Sequence, residues 1–204
     1  MSISGNPDFS SEASLHAQGY HYIAGIDEAG RGPWAGPVVA AAVILEKDDI
    51  PEGLHDSKKI SPGKREKIFD SLTEKADIGI GIIDFEEIDQ LNILQASLKA
   101  MQLALSQLSS PPCYALIDGN KCPDLPIPSQ AVIKGDSQVM SIAAASIIAK
   151  VTRDRIMKKI GAEFPGYGWE RNMGYGTKEH AEALLKLGVT PHHRRSFAPV
   201  KKLL

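Results

Sequence analysis

The chain predicts a three-layer α/β domain, and three observations carry that reading. Apolar runs end at turns rich in glycine and acid, at Asp27-Glu28-Ala29-Gly30, Asp118-Gly119-Asn120 and Gly135-Asp136. Stretches with helical spacing separate the later runs, so three early strands give way to two strand–helix units. With 204 residues, 43% of them hydrophobic, the chain can bury one good core.

The elements follow in order. Residues Tyr20 to Asp27 alternate and stop at a glycine turn, which predicts the first strand. Val38 to Leu45 is β-branched and apolar throughout, as a strand buried on both faces should be. Ser61-Pro62 pairs a cap residue with proline at the first helical position, and that helix runs to Lys75. Ala76 to Ile83, with isoleucine at alternate places, is the third strand. Asp84 and Glu87 resemble a capping box that opens one long helix to Leu108, ended by Pro111-Pro112. Tyr114 to Asp118 and Gln130 to Lys134 are the fourth and fifth strands. A long helix follows from Ser137 to Phe164, with small residues over Ser141 to Ser146 that suit close packing on a sheet. Residues 165–176 are irregular, and Thr177 to Leu187 is a helix stopped by Gly188. The expected division is a loose tail over 1–18, a catalytic domain over 19–164 and a small helical extension over 165–204.

Composition narrows the function classes. No apolar run is long enough to span a bilayer, which excludes a helical membrane protein. The first eighteen residues lack the basic start and apolar centre of a signal peptide. Cys113 and Cys122 are the only cysteines, too few for a disulfide framework or a thiolate zinc site, and they suit a reducing cytoplasm. The net charge of −2 does not itself point to nucleic acid, but the basic residues cluster at Lys58-Lys59, Lys64 to Lys67, Lys150 to Lys159 and Arg194-Arg195. No glycine fingerprint opens a helix after the first strand, which argues against a dinucleotide-binding enzyme.

Four acids stand at strand ends: Asp27, Glu28, Asp118 and Asp136. Ligands gather beyond the carboxyl ends of strands in an open α/β sheet. Carboxylates brought together there repel one another, and hard divalent ions with oxygen ligands relieve the repulsion. Adjacent strand residues point to opposite faces, so Asp27 and Glu28 can share a site only if the strand breaks at Glu28, which Ala29-Gly30 permits. Read singly, Asp118 before Gly-Asn is also a turn signal and Asp136 before a helix is also an N-cap.

Gly25-Ile26-Asp27-Glu28-Ala29-Gly30-Arg31-Gly32-Pro33 resembles the signature of the ribonuclease HII family. The resemblance continues through Asp56-Ser57-Lys58-Lys59, Ile117-Asp118-Gly119-Asn120, Lys134-Gly135-Asp136-Ser137 and the stretch from Ala144 to Asp154. It ends with Gly174-Tyr175-Gly176-Thr177 and His192-His193-Arg194-Arg195-Ser196-Phe197. Trp34 stands where a smaller aliphatic residue is common in the family. The resemblance implies a ribonuclease H-like fold with a mixed five-stranded sheet. It implies a metal-dependent endonuclease, using Mn2+ or Mg2+, that cuts the RNA strand of RNA–DNA hybrids and single ribonucleotides in duplex DNA, leaving 3′-hydroxyl and 5′-phosphate ends.

The resemblance further implies Asp27, Glu28, Asp118 and Asp136 as the metal-binding catalytic acids, with Asp154 the rival for the fourth place. Two ions about 3.5–4 Å apart can align a water, neutralise the phosphate and stabilise the leaving oxygen. Gly30, Arg31 and Gly32 would meet the ribose 2′-hydroxyl, the handle that separates RNA from DNA, and Tyr175 would sense the ribo-to-deoxyribo junction. Lys58, Lys59, Lys134, Arg194 and Arg195 are the expected phosphate contacts. His180, His192 and His193 lack the thiolate or acid neighbours of a zinc site. A related two-metal nuclease acting on DNA alone, such as a junction resolvase, is the first alternative, and a hybrid-binding module without activity the second. The Gly-Arg-Gly segment with Tyr175 argues against the first, and the intact acids against the second. No sliding-clamp motif is evident over 199–204, and a monomer is expected.

Overall fold

The computed structural model describes residues 6–55, 57 and 60–204, so Asp56, Lys58 and Lys59 lie outside the described residues. Five strands form one mixed sheet: β1 (Ile23–Ala29), β2 (Val38–Ile44), β3 (Asp77–Ile83), β4 (Tyr114–Asp118) and β5 (Ser129–Val132), in the order β3-β2-β1-β4-β5. The first three strands pair antiparallel, whereas β4 runs parallel to β1 and β5 parallel to β4. Every residue of β2 is buried, as a strand covered on both faces requires.

Helices cover both faces. On one, α4 (Ile93–Ser106) packs Ala96, Ala100, Met101 and Ala104 on Ala24, Ile26, Ala40 and Ala42. On the other, α2 (Pro62–Lys75) and α5 (Met140–Glu163) pack Ile68, Leu72, Ala144 and Ile148 on Ala41 and Val43. The small residues at the start of α5 allow a close approach. A Cβ on Gly25 of β1 would stand 2.2 Å from the Ser141 backbone. After α5, residues 165–204 carry α6 (Trp169–Asn172), α7 (Lys178–Leu187) and α8 (Ala198–Lys201). Tyr167, Trp169, Leu184 and Val200 form a small core there, completed by Ala35 and Met157 of the main body.

Three expectations are corrected. The loose tail is instead a helix over part of its length: α1 (Ser10–Ala17) buries Glu12, whose carboxylate accepts the Ser141 N–H at 2.8 Å at the start of α5. The single helix expected from Asp84 to Leu108 is two, α3 (Phe85–Leu91) and α4. Asn92 breaks it with φ 71°, and its side chain accepts from the Leu94 and Gln95 amides. The helix expected from Ser137 begins as a 3-10 turn over Gly135–Ser137 and becomes α-helical only at Met140. Elsewhere the local chemistry matches the structure: Asp84 caps α3 through the Glu87 N–H, and Thr177 caps α7 through the His180 N–H.

Candidate active site

The sheet's register assembles the site. The β1–β4 ladder ends at Ile26 paired with Ile117, so the next step along both parallel strands sets Asp118 beside Asp27. The break expected at Glu28 does not occur, because β1 continues to Ala29 and stays paired with β2. The opening comes from the other side, where β4 stops at Asp118. Alternation then separates the neighbours. Asp27 reaches the cavity on the α5 side, and Glu28 also borders a groove beside Leu94, Ser97 and Met101 of α4.

Asp27, Glu28 and Asp118 line one cavity of about 360 Å3. Each carboxylate is held. Asp27 Oδ1 accepts the Glu28 N–H at 2.7 Å, Glu28 Oε1 accepts from Arg31 Nη1 at 3.0 Å, and Asp118 Oδ1 accepts the Gly135 N–H at 2.7 Å. Burial, then the negative charges of Glu28 and Asp118, hold the Asp27 carboxyl well above its ordinary value. Burial also raises Glu28, against the lowering effect of Arg31. Glu28 Oε2 is buried with no hydrogen-bond partner. An all-oxygen donor set with surplus negative charge and an orphaned carboxylate oxygen fits a hard divalent cation. Among the described residues no three His, Cys, Asp or Glu side chains stand at metal-ligand spacing; Glu28 accepts from Arg31 and Asp118 from Gly135.

Asp136 is placed differently from the other three acids. It is buried in the 3-10 turn, one residue beyond the Gly135 amide that Asp118 holds, and it is not among the residues lining the cavity. Asp154 forms ion pairs with Lys150 at 2.7 Å and Arg65 at 3.8 Å.

The Gly30–Gly32 loop and Tyr175 line the same cavity. Gly30 has φ 101°, and a Cβ there would fall 2.0 Å from Arg153 Nε. A Cβ on Gly32 would stand 3.5 Å from Tyr175 Cε1, so loop and ring lie against each other. The ring is 44% exposed. Lys134 and Arg195 are exposed, but Arg194 is not. The expected role of Arg194 as a phosphate contact is corrected: its guanidinium is fully buried and donates to the carbonyls of Gly30, Arg31, Gly36 and Pro37. Arg153, also buried, donates to Ala35, Pro37 and Met173. Burial lowers both, Arg194 to about 9 and Arg153 to about 10, so both stay charged at neutral pH.

The sequence reading gave no site role to Ser57, Ser146, Lys150 or Arg153, which also line the cavity. Ser57 and Ser146 share a buried hydrogen bond of 2.8 Å, and the Ser146 hydroxyl works against the burial that raises Asp27. The one available signal was a hydroxyl in the otherwise apolar run Ala143 to Ile148.

A mixed sheet in this order, with acids meeting at the ends of β1 and β4, defines a hydrolase of the ribonuclease H-like class. The ribonuclease HII family model matches residues 24–200. The chain is 57% identical over 199 residues to the ribonuclease HII of Ruegeria pomeroyi, covering 97% of this chain and 85% of that one. It is 56% identical over 194 residues to that of Geobacillus kaustophilus, covering 95% and 74%. The crystal structure of ribonuclease H2 from Pyrococcus horikoshii superposes with a TM-score of 0.77 at 28% identity, covering 90% of this chain and 97% of that one. The chain belongs to the ribonuclease HII family, metal-dependent endonucleases with ribonuclease H activity on RNA–DNA hybrids.

Proposed function

We propose that this enzyme cuts the RNA strand of hybrids and also single ribonucleotides embedded in duplex DNA, leaving 3′-hydroxyl and 5′-phosphate ends. The observation that carries the reading is the shared cavity, lined by three carboxylates, the Gly30–Gly32 loop and Tyr175. A scissile phosphate in that cavity would have its ribose against the loop.

Asp27, Glu28 and Asp118 would hold divalent cations, with Asp136 as the fourth acid. Mn2+ or Mg2+, when bound, would activate water and offset charge on the phosphate. The protein's own part is positional. The strand register sets the Asp27 and Asp118 backbones side by side, and an amide donor holds one oxygen of each carboxylate. The Gly30, Arg31 and Gly32 backbone meets the 2′-hydroxyl, since glycine lets a ligand come close. Arg31, half exposed, pairs with Glu28 at the edge of the cavity. Tyr175 packs on the sugar at the ribo-to-deoxyribo junction. Lys134 and Arg195, with Lys58 and Lys59 outside the described residues, contact phosphates and make binding salt-dependent. Residues 165–204 serve as the substrate-binding extension. No described helix is long and apolar enough to cross a membrane, and the enzyme acts as a cytoplasmic monomer.

The test is cleavage of a DNA duplex carrying one ribonucleotide, with and without divalent metal and with the product ends identified. Metal-dependent incision 5′ to that ribonucleotide, leaving a 3′-hydroxyl, is expected. Cleavage of all-DNA duplex at the same rate would overturn the reading.

A further inference from the structure

His180 and His193 lie away from the carboxylates and have no part in the proposed reaction. Both are fully buried, with their Nε2 atoms 3.1 Å apart. Their surroundings fix each proton. The Thr190 amide donates to His193 Nδ1 at 3.0 Å, and the Thr190 hydroxyl lies 2.9 Å from the same atom, so the His193 proton sits on Nε2. His180 Nδ1 is 2.9 Å from the Tyr175 carbonyl oxygen, which only accepts, so Nδ1 carries the His180 proton and Nε2 is bare. Trp169 Nε1–H donates to that bare nitrogen at 3.1 Å, and His193 Nε2–H shares it. The result is a directed chain from the Thr190 amide through His193 and His180 to the Tyr175 carbonyl. Burial first, then the neighbouring imidazoles, lowers His193 to about 4, and burial lowers His180 as well, so both rings are neutral at pH 7.

The chain ends on the residue whose ring leans on Gly32. The residue after His193 is Arg194, which grips the Gly30 and Arg31 carbonyls at 2.6 and 3.1 Å. One short segment therefore anchors both the loop and, through two imidazoles, the tyrosine. We propose that His193 and His180 are positioning residues for Tyr175: they fix its backbone so that the ring stands at a set height over the Gly30–Gly32 loop, and this sets the preference for a ribonucleotide junction. The proposal rests on the reading of Tyr175 as the junction sensor.

The experiment compares cleavage of a duplex with one embedded ribonucleotide against cleavage of a long hybrid, and reads the ratio of the two rates. His180→Asn places an amide where Nδ1 stands and keeps a donor for the Tyr175 carbonyl but gives up the link to His193, so its ratio shifts less than that of His180→Gln. His180→Gln places its amide where Nε2 stands, leaves that carbonyl without a donor, and shifts the ratio against the single ribonucleotide by about three- to tenfold, the worth of one hydrogen bond. His193→Phe shifts it the same way, and adds nothing to the ratio when combined with Tyr175→Ala. Merely structural histidines would lower both rates together and leave the ratio alone. If Tyr175→Ala shifts the ratio while His180→Gln matches His180→Asn, the positioning proposal is wrong and the sensing reading stands. If Tyr175→Ala leaves the ratio unchanged, the sensing reading falls and this proposal falls with it.

Discussion

Replacing Arg194 by lysine separates a buried clamp from a phosphate contact. The guanidinium makes hydrogen bonds of 2.6–3.1 Å to four carbonyls, those of Gly30, Arg31, Gly36 and Pro37. A lysine ammonium keeps the charge but is a compact point on a flexible stem, and it cannot span the same fork. Its three N–H donors radiate from one atom and cannot reach all four carbonyls, of which Pro37 alone keeps a second donor, Arg153. With one or two carbonyls left unsatisfied at about 1–3 kcal/mol each, Arg194→Lys should lose roughly 1–6 kcal/mol of stability in urea unfolding. Cleavage of every substrate should fall about tenfold as the Gly30–Gly32 loop loosens. Hybrid binding titrated against salt supplies the second reading. A lost phosphate contact would reduce the slope of log K against log salt by about 1, whereas a buried clamp leaves the slope unchanged. Stability within about 0.5 kcal/mol of wild type, together with a reduced slope, would refute the clamp and restore Arg194 to the phosphate contacts.

Three further outcomes follow from the packing and the titrating groups. Gly25→Ala puts a methyl 2.2 Å from the Ser141 backbone carbon and 2.4 Å from the Ile142 nitrogen. Neither atom is free to move without α5, so a loss of about 3 kcal/mol or more is expected by chemical denaturation. Glu12→Ala removes the carboxylate acceptor for the Ser141 amide and should cost about 1–3 kcal/mol, read as a lower melting temperature with activity per folded molecule retained. His193 is held at about 4 when folded, below the ordinary 6.5. A depressed histidine contributes stability that is present above 6.5 and lost as pH falls through about 4. That loss, up to roughly 3 kcal/mol, should show as a steeper acid melting profile than that of His193→Phe.

Local pattern carried the sheet and most of the helices. Continuous β-branched residues can only be β2, and the Ser61-Pro62 and Thr177 caps mark helix starts within a residue. Where it failed, the deciding contact was distant in sequence or conformational. Glu12 makes α1 worth forming by reaching Ser141, 129 residues away. Asn92 adopts a positive φ that spacing alone does not announce. The acids were visible as strand ends, but the register that sets Asp118 beside Asp27 depends on strand order. Arg194 reads as a surface cation beside Arg195, and only the fold shows that one is buried and the other exposed.

In the proposed site Asp27, Glu28 and Asp118 repel one another until cations join them, and melting curves read that repulsion. Asp27 is raised by burial and by its acidic neighbours, so its charged form opposes folding above the ordinary carboxylate range. Without metal at pH 8, Asp27→Asn should melt above wild type. With Mn2+ at 100 times its dissociation constant, wild type should gain about 2.7 kcal/mol, while Asp27→Asn gains much less and cuts nothing. Equal metal responses in the two proteins, or cleavage retained by Asp27→Asn, would contradict the claim.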